Sequence, residues 1–153
     1  MSANFSGIQV AKSAQDLIYS VSNAIRILGR KYNALKVQVW FNCVYVWAKG
    51  QVSRLVSKSK FRHQFVDFRK AGSKVLEVTK DLFEPNTYHV YNPVKDSRHH
   101  VTIERSHKSP LQCTCEDYNS QLQVLGKGVC KHGYAILSEL GYSSLADYLG
   151  VTS

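Results

Sequence analysis

The chain has 153 residues, close to the size of one ordinary domain, and 44% of them are hydrophobic while 20% are charged. This composition excludes a disordered, collagen-like or coiled-coil protein. Lys and Arg number 20 against 11 Asp and Glu, a formal net charge of +9, which favours nucleic acid as a partner ahead of an anionic membrane surface. A basic, solvated surface without such a partner is the alternative.

No apolar run approaches the roughly 20 residues that span a bilayer, and the first residues lack the basic and apolar regions of a secretory signal. We therefore expect an intracellular protein, in the cytoplasm, nucleoid or nucleus, with no membrane partner. Thiols stay reduced in those compartments, so the four cysteines favour metal binding over disulfide bonds.

The first elements along the chain are a helix and an aromatic strand. Ser13 and Asp16 fit a capping box, and apolar residues at helical spacing predict a helix over 14–28. Residues 35–47 are rich in Val and aromatic residues, which predicts a strand or a bent hairpin arm. We expect the aromatic side chains of this segment to lie in the core, with stacking on nucleic-acid bases as the alternative. They are Trp40, Phe41, Tyr45 and Trp47.

A second helix is predicted from Ser57 or Ser59 to Ala71, with three Phe residues on its apolar face and basic residues on the other. The positive charge is concentrated here, because residues 54–74 hold seven basic residues and a single acid, a net charge of +6. Residues 111–153, by contrast, carry a net charge of −2. We predict that a polyanion-binding surface uses the seven basic residues, Arg54, Lys58, Lys60, Arg62, Arg69, Lys70 and Lys74.

Short elements fill the remainder of the chain. Extended runs at 74–79, 87–91 and 100–106 are each bounded by turn residues, which predicts strands. Two short helices are predicted over roughly 132–140 and 144–149. Because helices and strands occur in mixed order without a regular alternation, the pattern indicates the α+β fold class.

Three of the four cysteines and one histidine form the pattern C-x-C, fourteen residues, C-x-H, made by Cys113, Cys115, Cys130 and His132. Residues two apart in extended chain point to the same side, and Gly126 and Gly128 give the chain the flexibility to return. Zinc prefers four such sulfur and nitrogen ligands. We therefore predict one Zn²⁺ with a structural role, since a closed set of four protein ligands leaves no position for a substrate. A buried Cys130 with the other two thiols free or disulfide-bonded is the alternative.

The segment resembles the SWIM-type zinc finger, whose pattern is C-x-C, a variable spacer and C-x-H. The resemblance covers roughly residues 87–140 and includes Asp117-Tyr118 after the second cysteine and the apolar residues after His132. Glu116 stands where many members have proline. The resemblance implies a β-hairpin before the ligands, a helix after them, and a role in binding DNA or a protein partner.

These observations suggest two regions: residues 1–86, basic and of unassigned family, and residues 87–153, the zinc-finger region, expected to form one compact unit together. We expect a non-enzymatic zinc-finger protein that binds nucleic acid, DNA before RNA, through its basic helical segment. The alternative is an adaptor that binds a protein partner and does not use its charge for nucleic acid.

Overall fold

The computed structural model describes residues 13–151 and divides into two compact units at Phe68. Each unit has its own antiparallel sheet and its own buried core. The mixture of separate helices and antiparallel strands confirms the α+β class. The boundary between residues 86 and 87 and the expectation of a single compact unit stay predictions. No helix within residues 13–151 is both long and apolar enough to cross a membrane.

The first unit begins with two short helices where one was predicted. Helix α1 (Ala14–Ile18) starts with the expected capping box. The chain leaves helical geometry at Tyr19, and the Ser20 hydroxyl then caps helix α2 (Val21–Leu28) by accepting a hydrogen bond from the Asn23 amide at 3.1 Å. The apolar spacing continues through the break, so the hydrophobic pattern alone did not reveal it.

A three-stranded antiparallel sheet of order β1–β2–β3 follows. The segment 35–47, predicted to be a strand or a bent hairpin arm, forms an antiparallel hairpin of β1 (Ala34–Val39) and β2 (Val44–Ala48). Strand β3 (Arg54–Val56) was not predicted, because three residues are too few to show an alternating pattern. One face of this sheet packs against α2 and the next helix, and the buried core consists of Ala24, Tyr32, Ala34, Val44, Val46, Val56 and Phe61.

Helix α3 (Lys58–Ser73) confirms the predicted basic helix and extends it by two residues. Phe61 and Phe65 are buried, as expected. Phe68 is 45% exposed instead, and the Arg26 guanidinium lies 3.5 Å from its ring centroid. Aromatic residues thus anchor one side of the helix, while Lys60 and Arg62 are exposed to solvent.

The second unit contains a four-stranded antiparallel meander in chain order, consisting of β4 (Glu77–Lys80), β5 (Thr87–Asn92), β6 (Ser97–Ile103) and β7 (Leu111–Cys113). Its buried core combines apolar residues of the strands with three cysteines and with residues of the helices that follow. The three cysteines predicted to bind a metal are therefore also part of the core of this unit.

Three helices complete this unit: α4 (Glu116–Leu125), α5 (Lys131–Glu139) and α6 (Leu145–Leu149). The last two were predicted, and α4 was not. Its signals were nonetheless present, because two acids occupy its first turn and Gly126 ends it with a positive φ of 76°.

The core of the first unit predicts a large effect of one substitution. Phe61 has no exposed surface, so we expect Phe61→Ala to lower the free energy of unfolding by about 3–5 kcal/mol through lost burial and a cavity. Urea denaturation followed by circular dichroism measures the change. Leu82→Ala is the control, because Leu82 is 89% exposed and its loss should change stability by no more than about 0.5 kcal/mol. Equal effects of the two changes would contradict this packing.

Candidate metal centre

Four side chains converge where β7, α4 and α5 meet. Cys113 ends β7, and Cys115 caps the N-terminus of α4 two positions later. Cys130 caps α5, and His132 is the second residue of that helix. The structure thus brings together all four residues that the spacing predicted.

The geometry of these residues fits a metal ion. Their ligand atoms all lie within 4.8 Å of one another, and each residue is at most 7% exposed. A tetrahedral ion with sulfur bonds of about 2.3 Å holds its ligand atoms about 3.8 Å apart, which this cluster reaches with small side-chain shifts. The buried Nδ1 of His132 has no hydrogen-bond partner among the described residues, an arrangement that is rare in folded proteins. Metal ligation through this nitrogen would satisfy it.

The cluster favours a thiolate even without a cation. Hydrogen bonds from Cys113 and Cys130 hold the pKa of Cys115 far below its ordinary value. The amide of Tyr118, in the first turn of α4, also donates to the Cys115 sulfur at 3.3 Å. The hydrogen bond to Cys115 raises the pKa of Cys113 to about 12, and hydrogen bonds to both partners raise the pKa of Cys130. A dication would stabilise all three thiolates, so its binding would release protons.

Thr114, between the first two cysteines, connects this loop to β6. Its Oγ1 accepts a hydrogen bond from the His100 amide at 3.2 Å and lies 3.2 Å from Nδ1 of His99. The His99 ring packs against the His132 ring, with centroids 4.6 Å apart. Burial lowers the pKa of His99, which favours a neutral ring beside the candidate ligand. The sequence did not predict the contact between His99 and His132, because the two residues lie far apart in the chain and only the fold brings them together.

Gln121 determines how the chain returns from α4 to the site. This residue is 2% exposed, and its side chain both donates to the carbonyl and accepts from the amide of Val129 at 3.1 Å. A Cβ atom on Gly128 would lie 2.4 Å from the Gln121 Cβ. Gly128 therefore permits the close approach of its backbone to the Gln121 side chain, in addition to the flexibility that the sequence suggested. The segment held in this way continues directly to Cys130.

The basic residues predicted to bind a polyanion are divided between the units. Arg54, Lys58, Lys60 and Arg62 belong to the first, whereas Arg69, Lys70 and Lys74 belong to the second. Arg69 makes a bidentate ion pair with Asp117 at 2.7 and 2.9 Å, and the Lys70 ammonium lies 5.6 Å from the Tyr134 ring centroid. These two side chains have partners within the second unit.

Two basic side chains of the first unit donate hydrogen bonds within that unit. The Lys58 ammonium donates to the Phe41 carbonyl at 2.8 Å, and Arg62 donates to the Tyr19 hydroxyl at 3.2 Å. Lys60 and Arg62 are both exposed on α3. Contact of any of these residues with nucleic acid stays a prediction.

The expectation that the aromatic residues of the hairpin lie in the core was wrong. Phe41 is 97% exposed, Trp40 42% and Trp47 44%, and Tyr45 is half-buried. Strand alternation explains the error, because the Val residues between them occupy the buried face. Aromatic and aliphatic residues of similar hydrophobicity alternate here, so hydrophobicity did not reveal which face was outside.

Comparisons with family models, with curated proteins and with solved structures gave no match to this chain. Within residues 13–151, no other group of three or more His, Cys, Asp or Glu side chains converges in this way. The cluster of Cys113, Cys115, Cys130 and His132 is therefore the metal site that the chain's own geometry supports.

The contact between Gly128 and Gln121 predicts that Gly128→Ala weakens the site. The added methyl overlaps buried atoms of α4, and we expect a stability loss of about 1–3 kcal/mol together with weaker metal binding. Thermal denaturation and a metal-competition titration measure the two effects. Gly126→Asn is the matched control, because open space surrounds Gly126 and Asn tolerates its positive φ. Equal losses in both variants would show that backbone conformation, not the close approach, governs this loop.

Proposed function

We propose that the chain is a zinc-stabilised nucleic-acid-binding protein, with DNA as the first expected ligand and no catalytic role. The observation that carries the proposal is the distribution of charge between the units. Residues 1–68 hold ten Lys and Arg against two Asp and Glu, whereas residues 69–153 hold ten against nine. Nearly all of the net charge of +9 therefore belongs to the unit that lacks the metal site.

Zinc is the metal that we propose for the cluster. Three cysteine sulfurs and one imidazole are a donor set that zinc prefers, and four protein ligands complete its usual coordination in structural sites. Copper(I) also accepts sulfur ligands, but a closed set of three cysteine sulfurs and one histidine nitrogen is typical of structural zinc sites. The ligand pattern and the helix after it support membership of the SWIM-type zinc fingers, which we propose for this region.

The excess charge of the first unit supports binding to a polyanion. Each phosphate neutralised by Lys or Arg releases condensed counterions, so a basic unit gains affinity that falls steeply with salt. Lys60 and Arg62 extend from α3 into solvent and are the most direct candidates for phosphate contacts. Arg69 is less available, because Asp117 holds its guanidinium.

A second candidate function is binding to a protein partner. Leu82 and Phe83 are adjacent in the β4–β5 loop, and they are 89% and 90% exposed. Neighbouring apolar side chains with this exposure favour a protein contact over solvent. Undetectable binding to any oligonucleotide at low salt, with a discrete partner captured through this loop, would favour the adaptor.

We expect protein purified without chelator to contain about one zinc ion per chain. Zinc contributes about 10–16 kcal/mol in small structural sites, which is comparable to or larger than the stability of a whole domain. Cys130→Ala and His132→Ala should therefore lose zinc and unfold the second unit. Elemental analysis and thermal denaturation measure these outcomes, with Cys43→Ala as the control because Cys43 lies outside the cluster. Full metal content and an unchanged midpoint in both variants would refute the structural role.

Lys60→Ala combined with Arg62→Ala should weaken nucleic-acid binding and reduce its salt dependence. If both side chains meet phosphates, the slope of log K against log salt should become shallower by about 1.4–1.8. Fluorescence anisotropy of labelled oligonucleotides at several salt concentrations measures this slope.

The matched control for this test removes the same charge from the second unit. Lys80→Ala combined with Lys95→Ala changes two exposed lysines of that unit and should leave the slope unchanged. Equal changes in the two double variants would show that net charge, and not the surface of the first unit, determines binding.

A further inference from the structure

The outer face of the three-stranded sheet carries a row of aromatic side chains. Cross-strand pairing joins Lys36 with Trp47, Gln38 with Tyr45, and Tyr45 with Leu55. Because side chains alternate along a strand, these five residues share the face opposite the buried valines. The face is therefore apolar and aromatic at its centre and lies outside the core of its unit.

The rings on this face form a continuous series. The Trp40 ring stacks on Tyr45, with centroids 4.9 Å apart and an interplanar angle of 15°. Tyr45 meets the edge of Trp47 at 5.1 Å and 68°. Tyr45 is half-buried between its neighbours and positions them, while Trp40 and Trp47 present accessible ring surface. Rings held in place in this way lose little conformational freedom when a ligand binds.

The charge around these rings suits a polyanion. The Lys36 ammonium lies 5.6 Å from the Trp47 ring centroid. No Asp or Glu occurs between residues 17 and 66, a range that contains the whole sheet. An aromatic row on a sheet whose strands carry basic and no acidic residues is complementary to bases joined by phosphates, because stacking and phosphate contacts can form together.

We propose that this face, called here the aromatic face (Trp40, Tyr45 and Trp47), stacks on unpaired bases of single-stranded nucleic acid while Lys36 contacts its phosphates. The inference rests on the proposed nucleic-acid function and names the form of ligand. In a duplex the ring faces of the bases are covered by neighbouring base pairs, so a flat aromatic surface has little to stack on. The aromatic face therefore distinguishes single strands from duplexes.

The tryptophan fluorescence of the chain can be used to measure this binding. Its two tryptophans, Trp40 and Trp47, both belong to the aromatic face. Titration of the zinc-loaded 153-residue chain with an oligothymidine of about 15 nucleotides should quench tryptophan emission, because that length covers a typical single-strand site. A hairpin duplex bound at the same low salt should leave the emission nearly unchanged. Binding of the single strand without quenching would overturn the proposal.

Two substitutions remove the rings without touching the core. Trp40→Ala, in the turn, and Trp47→Thr, which keeps a residue suited to a strand, should each weaken oligothymidine binding about 5- to 150-fold. Both variants should retain the affinity for the duplex, and Trp47→Phe should restore much of the single-strand affinity. Phe83→Ala is the control, since Phe83 is equally aromatic, 90% exposed and located in the second unit.

The outcomes separate this inference from the function on which it rests. If the wild-type protein binds neither ligand at low salt, the proposed function fails, and this inference fails with it. If the wild-type protein binds both ligands and the Trp variants bind the single strand equally well, only the stacking fails. A dimer of the free protein that Trp47→Thr dissociates would also overturn the proposal, because a second copy would then cover the aromatic face.

Discussion

Three thiols and an imidazole in one buried space are the constraint on which the second unit depends. A buried ring nitrogen without a hydrogen-bond partner is costly, and hydrogen bonds from the other two thiols favour a thiolate at Cys115. The two pairs of ligands come from the end of β7 and the start of α5, so a metal ion held by them fixes the sheet to the helix. The three cysteines also belong to the buried cluster that forms the core of this unit.

Two further side chains of the second unit hold the segments that carry these ligands in place. Thr114 holds the loop of the first pair to β6, and Gln121 holds the segment before the second pair to α4. Neither side chain could serve as a zinc ligand, yet each orients residues that could. Such supporting contacts restrict the ligands to one arrangement, which lowers the entropy lost when a metal binds.

The sequence predicted the site more completely than the fold. The metal site could be predicted because its four ligands lie in two short patterns, C-x-C and C-x-H, which are recognisable in the local sequence. The break at Tyr19 and the short strand β3 were missed because tertiary packing, not local pattern, decides them. Helix α4 was missed for another reason: its apolar periodicity is weak, and Cys115, which caps it, was interpreted only as a ligand.

The error over the aromatic hairpin is the most informative of these differences. Val and aromatic residues alternate along β2, so both faces appear hydrophobic in the sequence, and only the packing of α2 and α3 decides which face is covered. The smaller valines were buried and the larger rings were left partly exposed, although burying the rings fully would remove more apolar area from water. The partly exposed rings, in the unit that holds nearly all of the positive charge, are what the proposed stacking on single-stranded nucleic acid would require.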